Sequence, residues 1–234
     1  MMTFDIYGHR GFPVRFPENS MASFAYTIAH GADGIETDVQ ETKDGALVII
    51  HDEKIDRTLN GHGWIKDMTL AELHQYQMAN GERVPLLSDV LDLMAPSGIK
   101  LNLEFKTSKV HYTNIEEKVH REIVVRDMAA RTIYSSFDSD TLRRLHAIAP
   151  TQQLGVLTMQ SGKVPKFTAL KPILATLHVE QYQPQIDFPQ LLWTVDDPHE
   201  IRRAMHDKQV FGIITDNFER AMRIREEEMA HLTQ

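Results

Sequence analysis

Short apolar segments alternate with amphipathic stretches along nearly the whole chain, and this alternation leaves few architectures open. Phe4 to Gly8 reads as a strand, followed by a helix from Ser20 through Ala29 that stops at Gly31. Gly34 to Gln40 and Ala46 to Ile50 read as strands joined by the hairpin-turn pair Asp44-Gly45. Ser88 is read as the cap of a helix to about Met94, and Lys100 to Lys106 as a strand. Thr113-x-x-Glu116 has the form of a capping box ahead of a helix to about Met128. Strands at Thr132 to Phe137, Leu154 to Leu157, Pro172 to Val179, Leu191 to Val195 and Phe211 to Ile214 follow. Asp138 and Asp197-Pro198 cap helices to about Ile148 and His206, and the last helix runs from Glu219 to about Ala230. About eight β-α alternations predict an α/β fold, a (β/α)8 TIM barrel.

Such barrels typically need about 250 residues, and this chain has 234. A small insertion after the second strand, from about Glu53 to Pro85, uses some of them and carries its own capping box, Thr69-x-x-Glu72. Something else must be shortened, and two prolines with little helical periodicity place the shortening at Gln181 to Pro189, an abbreviated sixth helix. The expectation is a single barrel domain over residues 1–234. A net charge of -8 argues against a nucleic-acid surface, and the chain contains no Cys, which excludes disulfides and thiolate metal sites. No stretch approaches the roughly 18 apolar residues of a membrane span. The N-terminus has no signal-peptide pattern, so the expected location is cytoplasmic.

Alternation within two strands carries the chemistry. In Ile35-Glu36-Thr37-Asp38-Val39 the two acids share the face opposite the apolar residues, and in Lys100 to Lys106 the residues Asn102, Glu104 and Lys106 share the inward face. Inward carboxylates are costly unless a cation neutralises them. Glu36, Asp38 and Glu104 offer only oxygen donors, which favours a hard divalent cation, Mg²⁺ or Ca²⁺. The plainer alternative is a set of buried salt bridges to Arg10 and Lys106. Of the 12 histidines, His9 and His51 stand apart because each ends a strand on the face that carries barrel active sites. One neutral and one protonated imidazole can exchange protons with a nucleophile and a leaving oxygen. Arg10 and Lys106 suit a phosphate. Trp193 is a possible substrate-lining residue, with core packing nearly as good a reading, and Phe12 with Phe16 could form an apolar lip.

These residues lie in a series of motifs that resembles the glycerophosphodiester phosphodiesterase family. The series runs His9-Arg10-Gly11, Pro17-Glu18-Asn19-Ser20, Gly34 to Val39, Thr42 to Gly45, His51-Asp52, Arg57-Thr58, Gly81 to Leu87, Leu103 to Lys106, Trp193-Thr194-Val195 and Ile214 to Asn217. The order matches across nearly the whole chain. The resemblance implies a barrel with an insertion after the second strand, a divalent metal on Glu36, Asp38 and Glu104, His9 and His51 as the acid/base pair, and Arg10 and Lys106 on phosphate. By similarity to related barrel phosphodiesterases, His9 is assigned as the base and His51 as the acid. Departures are Asn217-Phe218 for the usual Asn-Pro, Ser20 for the commoner Thr, a bulky loop at Phe12 to Phe16, and a poorly matching sixth unit. None removes a catalytic group, although loops set substrate choice.

The implied reaction is metal-dependent hydrolysis of a small-molecule glycerophosphodiester to glycerol 3-phosphate and an alcohol, a step of lipid and glycerol metabolism. Two nucleophiles are compatible with these groups, water or the substrate's own 2-hydroxyl giving a cyclic phosphate. Rival readings are a lysophospholipid-cleaving phospholipase D-like enzyme, which needs an apolar groove, and a non-catalytic phosphate-binding barrel.

Overall fold

The computed structural model describes residues 4–158, 173–178 and 188–232. Eight parallel strands close on themselves: β1 (Asp5–His9), β2 (Gly34–Glu41), β4 (Lys100–Phe105), β5 (Thr132–Ser136), β6 (Gln153–Thr158), β7 (Ile173–His178), β8 (Gln190–Trp193) and β9 (Val210–Thr215). Each pairs with the next, and β9 pairs back onto β1, so the sheet is the expected (β/α)8 barrel. The short β3 (Leu47–Ile49) runs antiparallel on the far end of β2. The hairpin between them turns at Gly45, whose φ is +87°.

Strand alternation separates two cores. Outward residues such as Ile6, Ile35, Val39, Leu101, Leu103 and Ile213 pack under helices α1 (Met21–Ala29), α3 (Leu87–Met94), α4 (Ile115–Val124), α5 (Ser139–Ile148), α6 (Pro198–Met205) and α7 (Phe218–Leu232). Inward residues Tyr7, Ile133, Leu174, Leu191 and Ile214 fill the barrel and form an apolar floor. This division follows from the period-two pattern of side chains on a parallel strand buried on both faces.

The excursion after β3 packs on a small core of its own, with Val48, Ile50, Ile55, Leu59, Ile65, Leu73, Met78 and Val84 buried. The capping box expected at Thr69 and Glu72 is formed at the start of α2 (Leu70–Leu73). The excursion also reaches the barrel. The Glu82 carboxylate accepts from the backbone N–H groups of Met21 and Ala22 at 2.8 and 3.2 Å. It complements the Ser20 side chain, which accepts from Ser23 N at 3.2 Å, in satisfying the first turn of α1.

Two caps differ from the sequence reading. Ser88 lies inside α3, whose cap position is Leu86 with no side-chain bond. Helix α4 is capped at Asn114, in a left-handed conformation with no side-chain cap bond, and ends at Val124 rather than near Met128. Thr113 and Glu116 form no capping box there, because Glu116 instead accepts from Arg144 Nε at 2.7 Å. Residues 181–187, where the sixth helix is expected to be abbreviated, lie outside the described residues.

Candidate active site

The chain leaves β1 through a sharp turn that only particular residues permit. Arg10 has φ +52° and Gly11 has φ +90°. A Cβ on Gly8 would sit 2.3 Å from the Gly11 carbonyl, and one on Gly11 would sit 2.2 Å from Ser23 Oγ. Glycine at both positions lets the loop fold back over the barrel mouth. Arg10 N then donates to the Glu36 carbonyl at 2.9 Å and to Glu36 Oε2 at 3.2 Å. The turn thus fixes Arg10 beside the first acid.

Glu36, Asp38 and Glu104 meet as the strand pattern predicts. All three are buried, and one oxygen from each lies within 4.8 Å of the others. The salt bridges also form. Lys106 Nζ donates to Glu104 Oε1 at 2.8 Å and lies 3.9 Å from Asp38 Oδ1. Arg10 Nε lies 3.6 Å from Asp38 Oδ2, while Arg10 donates to Glu18 at 2.9 Å. These two cations do not balance the three acids, since Arg10 also serves Glu18.

Burial, and then the crowding of the acids, shows in the proton affinities. Burial, with repulsion from Asp38, pushes Glu36 up to about 8. Burial raises Glu104 to about 7 against the opposing pull of Lys106, with repulsion from Asp38 adding to the rise. Burial also acts upward on Asp38, but Arg10, His51 and Lys106 outweigh it and hold its carboxyl below the usual range. Asp38 Oδ1 is buried without a hydrogen-bond partner. Three clustered carboxylates, whose burial resists ionisation without a further cation, and an orphaned carboxylate oxygen fit a hard divalent cation.

Both predicted histidines belong to His–Asp pairs. His9 Nδ1 is 2.6 Å from Asp216 Oδ1, and His51 Nδ1 is 2.6 Å from Asp52 Oδ1. An Nδ1–H held by a carboxylate leaves Nε2 as the working atom. His9 Nε2 lies 3.9 Å from Glu36 Oε2. Burial lowers the pKa of His9, but the Asp216 hydrogen bond and the Glu36 charge carry it above the ordinary value. Burial lowers that of His51, and Lys106 and Arg10 reinforce the fall against the opposing charge of Asp38.

The loop bearing His51 is pinned by Gln40 of β2, whose Nε2 donates to the carbonyls of Ile50, His51 and Asp52 at 3.0, 3.1 and 2.8 Å. Asn19 ties the Arg10 turn to the acids by donating to Asp38 Oδ2 at 3.0 Å and accepting from Thr37 Oγ1 at 2.7 Å. Sequence reasoning gave no role to Asp216, Gln40, Asn19 or Glu18.

A further residue ties the two sides of the mouth. Arg57, half exposed, donates to both oxygens of Glu18 at 2.6 and 2.7 Å and to both oxygens of Asp52 at 2.6 and 3.1 Å. Glu18 holds Arg10, and Asp52 holds His51. As a hypothesis from this bracing, Arg57→Ala lowers kcat/KM by about 10–100-fold, the usual size for loss of an orienting partner, and shifts Tm by no more than a few degrees. Steady-state kinetics with a melting curve checks this. Unchanged kcat/KM would show that the brace is ornamental.

A cavity of about 140 Å³ opens among these groups, lined by His9, Arg10, Glu36, His51 and Glu104 on one side and by Phe137, Leu157 and Trp193 on the other, with Asn102, Ser135 and Ile214 completing it. Trp193 lines the cavity, and its ring meets Phe137 edge-on at 5.8 Å. Phe16 is not among the lining residues. Its ring packs on Tyr26 at 5.1 Å, and Phe12 is buried in the outer core, so neither forms the lip expected from sequence.

A parallel barrel thus brings acids, paired imidazoles and two cations together around one mouth. The chain matches the model of the Glycerophosphoryl diester phosphodiesterase family over residues 9–190 and belongs to that family. It is 37% identical to a glycerophosphodiester phosphodiesterase of Bacillus altitudinis, over 95% of this chain and 98% of the relative. It is 38% identical to one of Caldanaerobacter subterraneus, over 91% and 93%. Among solved structures, a glycerophosphodiester phosphodiesterase from Parabacteroides distasonis superposes with a TM-score of 0.82 at 26% identity, covering 97% of this chain and 98% of that one. An Oleispira antarctica phosphodiesterase in complex with the product sn-glycerol-3-phosphate has the same fold, with a TM-score of 0.83 at 22% identity over 95% and 96%. The enzyme class follows: glycerophosphodiester phosphodiesterase, a phosphoric diester hydrolase. Among the described residues no helix is long and apolar enough to cross a membrane.

Proposed function

We propose that this single barrel domain, insertion included, hydrolyses small glycerophosphodiesters to glycerol 3-phosphate and an alcohol such as choline, ethanolamine or glycerol, using a divalent cation and two histidines. The observation that carries the reading is the cluster of Glu36, Asp38 and Glu104, two of which, Glu36 and Glu104, line one cavity with the aspartate-paired His9 and His51. The product bound by the Oleispira protein supports glycerol 3-phosphate as the product here. The reading assigns the enzyme to cytoplasmic lipid and glycerol metabolism.

Glu36, Asp38 and Glu104 would hold Mg²⁺ or Ca²⁺, which supplies Lewis-acid charge to a phosphate oxygen. Arg10 and Lys106 bind the other phosphoryl oxygens and offset the charge that builds on them at the transition state. His9 Nε2 takes the proton from the attacking oxygen, that of water or of the substrate's 2-hydroxyl, as it bonds to phosphorus; in the second case water then opens the cyclic phosphate to give glycerol 3-phosphate. His51 Nε2 gives a proton to the departing alkoxide as the other P–O bond breaks. Asp216 and Asp52 keep each imidazole in the tautomer that presents Nε2. The histidine shifts run against these roles, His9 up and His51 down. The Asp216 hydrogen bond is the larger cause of the rise of His9, and a cation on Glu36 would offset only the part that comes from Glu36.

The test is a product assay on glycerophosphocholine, glycerophosphoethanolamine and glycerophosphoglycerol. Release of glycerol 3-phosphate with one equivalent of alcohol is expected from each substrate turned over. Release of the phosphorylated alcohol with free glycerol instead would place the cleavage on the wrong side of phosphorus and overturn the proposal.

A further inference from the structure

One wall of the cavity has polar groups that the proton transfers and phosphate contacts leave unused. Asn102 stands on β4 beside Glu36 of β2, one inward position deeper than Glu104. Ser135 stands on β5 beside Glu104. Both line the cavity, and they are 1% and 0% exposed. Neither the amide nitrogen nor the amide oxygen of Asn102 has a hydrogen-bond partner, and neither does the Ser135 hydroxyl. Buried side-chain polar atoms are paired in the large majority of cases. Three orphans converging on one cavity therefore mark a place where something else supplies the partners.

The rest of the cavity specifies the partner's shape. Below lies the apolar floor of Tyr7, Ile133, Leu174, Leu191 and Ile214. Phe137 follows two residues after Ser135 at the end of β5, Leu157 stands beside it on the neighbouring β6, and Trp193 of β8 meets Phe137 edge-on. A ligand that fits such a space carries hydroxyls for the polar pair and C–H groups for the apolar floor and rings. A three-carbon polyol has that pattern, and about 140 Å³ is a space of its size rather than of an acyl chain.

We propose that Asn102 and Ser135 read the glycerol end of the substrate, binding its terminal hydroxyl above all. This rests on the phosphodiesterase reading above. The 2-hydroxyl is separated from the ester oxygen by only two carbons and stays close to the groups that hold phosphate. The terminal hydroxyl extends one carbon further, toward the deeper Asn102. The amide can donate to and accept from a hydroxyl at once, and the serine can do either. Glycerol then occupies the inner end of the cavity, and the variable alcohol points to the open mouth.

The experiment compares kcat/KM for glycerophosphocholine with that for its analogue in which the terminal hydroxyl is replaced by hydrogen. The 2-hydroxyl is retained in both. The wild-type enzyme is expected to favour the natural substrate by about 10²-fold or more, because a site built to bond a hydroxyl rejects the analogue that lacks it. Asn102→Ala and Ser135→Ala should each narrow that ratio about tenfold, with the loss falling on the natural substrate. Calorimetric binding of glycerol 3-phosphate and of its deoxy analogue gives a second readout that does not depend on turnover. The same narrowing is expected there, in Ser135→Ala especially, where the change in volume is least. Equal losses on both substrates, or a wild type with no preference, would overturn the proposal while leaving the phosphodiesterase reading intact. A wild type that turns over neither substrate strikes at the reading of the site itself, and this proposal falls with it.

Discussion

Stripping the protein with a chelator is expected to reduce hydrolysis of glycerophosphodiesters by at least about 10²–10³-fold, with Mg²⁺ or Ca²⁺ restoring it. Several kcal/mol of transition-state charge stabilisation is the usual contribution of a catalytic cation, and about 1.4 kcal/mol corresponds to tenfold in rate. The hypothesis is motivated by three buried acids facing two cations, one of which also serves Glu18. Glu36→Ala, Asp38→Ala and Glu104→Gln should each weaken metal binding. Full activity in a verified metal-free preparation would remove the metal from the mechanism.

The same acids set a pH signature. With Glu36 near 8 and Glu104 near 7, the metal-free protein retains protons at these sites that an unfolded chain would have lost well below neutrality. Its folded state binds more protons than its unfolded state, so stability falls as pH rises from about 4.5 toward 8. A cation needs the carboxylates ionised, so its uptake at pH 7 expels protons, and its apparent affinity climbs with pH until both groups have ionised. Two measurements check this: proton release on titration with metal, and the difference in Tm between metal-free and metal-loaded protein, which should widen from pH 5 to pH 8. About 2–4 °C corresponds to 1 kcal/mol for a chain of this size. A corollary is that Glu36→Gln raises the metal-free Tm at pH 8 while abolishing metal binding, because it removes an uncompensated buried charge. A Tm gap that does not change with pH would contradict the charge imbalance on which this rests.

Local pattern made the strands and the acid cluster legible in the sequence. Glu36 and Asp38 two apart, with Glu104 two before Lys106, can share a face only on strands, and parallel closure then brings β2 and β4 side by side. His9 and His51 were legible because each follows an apolar run. The partners that orient them were less so. Asp216 lies 207 positions from the histidine it holds, and Arg57 lies 39 from Glu18, so no periodicity connects them. Ring closure brings β9 beside β1 and joins the first pair. The second pair needs the path of the excursion. Ser135 and Phe137 follow the same pattern, since they continue the inward alternation of β5 one strand beyond Glu104. The misplaced caps at Ser88 and Thr113 have a different cause. The helices start at other residues, α3 after Leu86 and α4 after Asn114, and Glu116 is drawn to Arg144, so local pattern alone did not set the register of the first turn.

His51→Ala is expected to cost about 10²–10⁴-fold in kcat/KM on glycerophosphocholine, the usual range for a general acid, and far less on a nitrophenyl phosphodiester. Choline's alkoxide is a poor leaving group that must be protonated as it departs, whereas nitrophenolate leaves without help. His9→Ala should lower both substrates by similar factors, because the nucleophile must lose its proton whichever group leaves. The hypothesis is motivated by two imidazoles in one cavity, each with Nδ1 held 2.6 Å from an aspartate and Nε2 left to work. The aspartates extend the test. Asp52→Asn should imitate His51→Ala in its leaving-group dependence, and Asp216→Asn should imitate His9→Ala in its indifference, each to a smaller degree, since each imidazole remains but loses its fixed tautomer. Metal content must be confirmed in every variant, because His9 Nε2 lies 3.9 Å from Glu36. Sparing of the activated substrate in His9→Ala alone would exchange the two roles, in keeping with the metal-free shifts of His9 up and His51 down. Equal losses on both substrates in both variants would mean that neither imidazole protonates the leaving group, and the acid would then have to be sought among the cations, with Lys106 first.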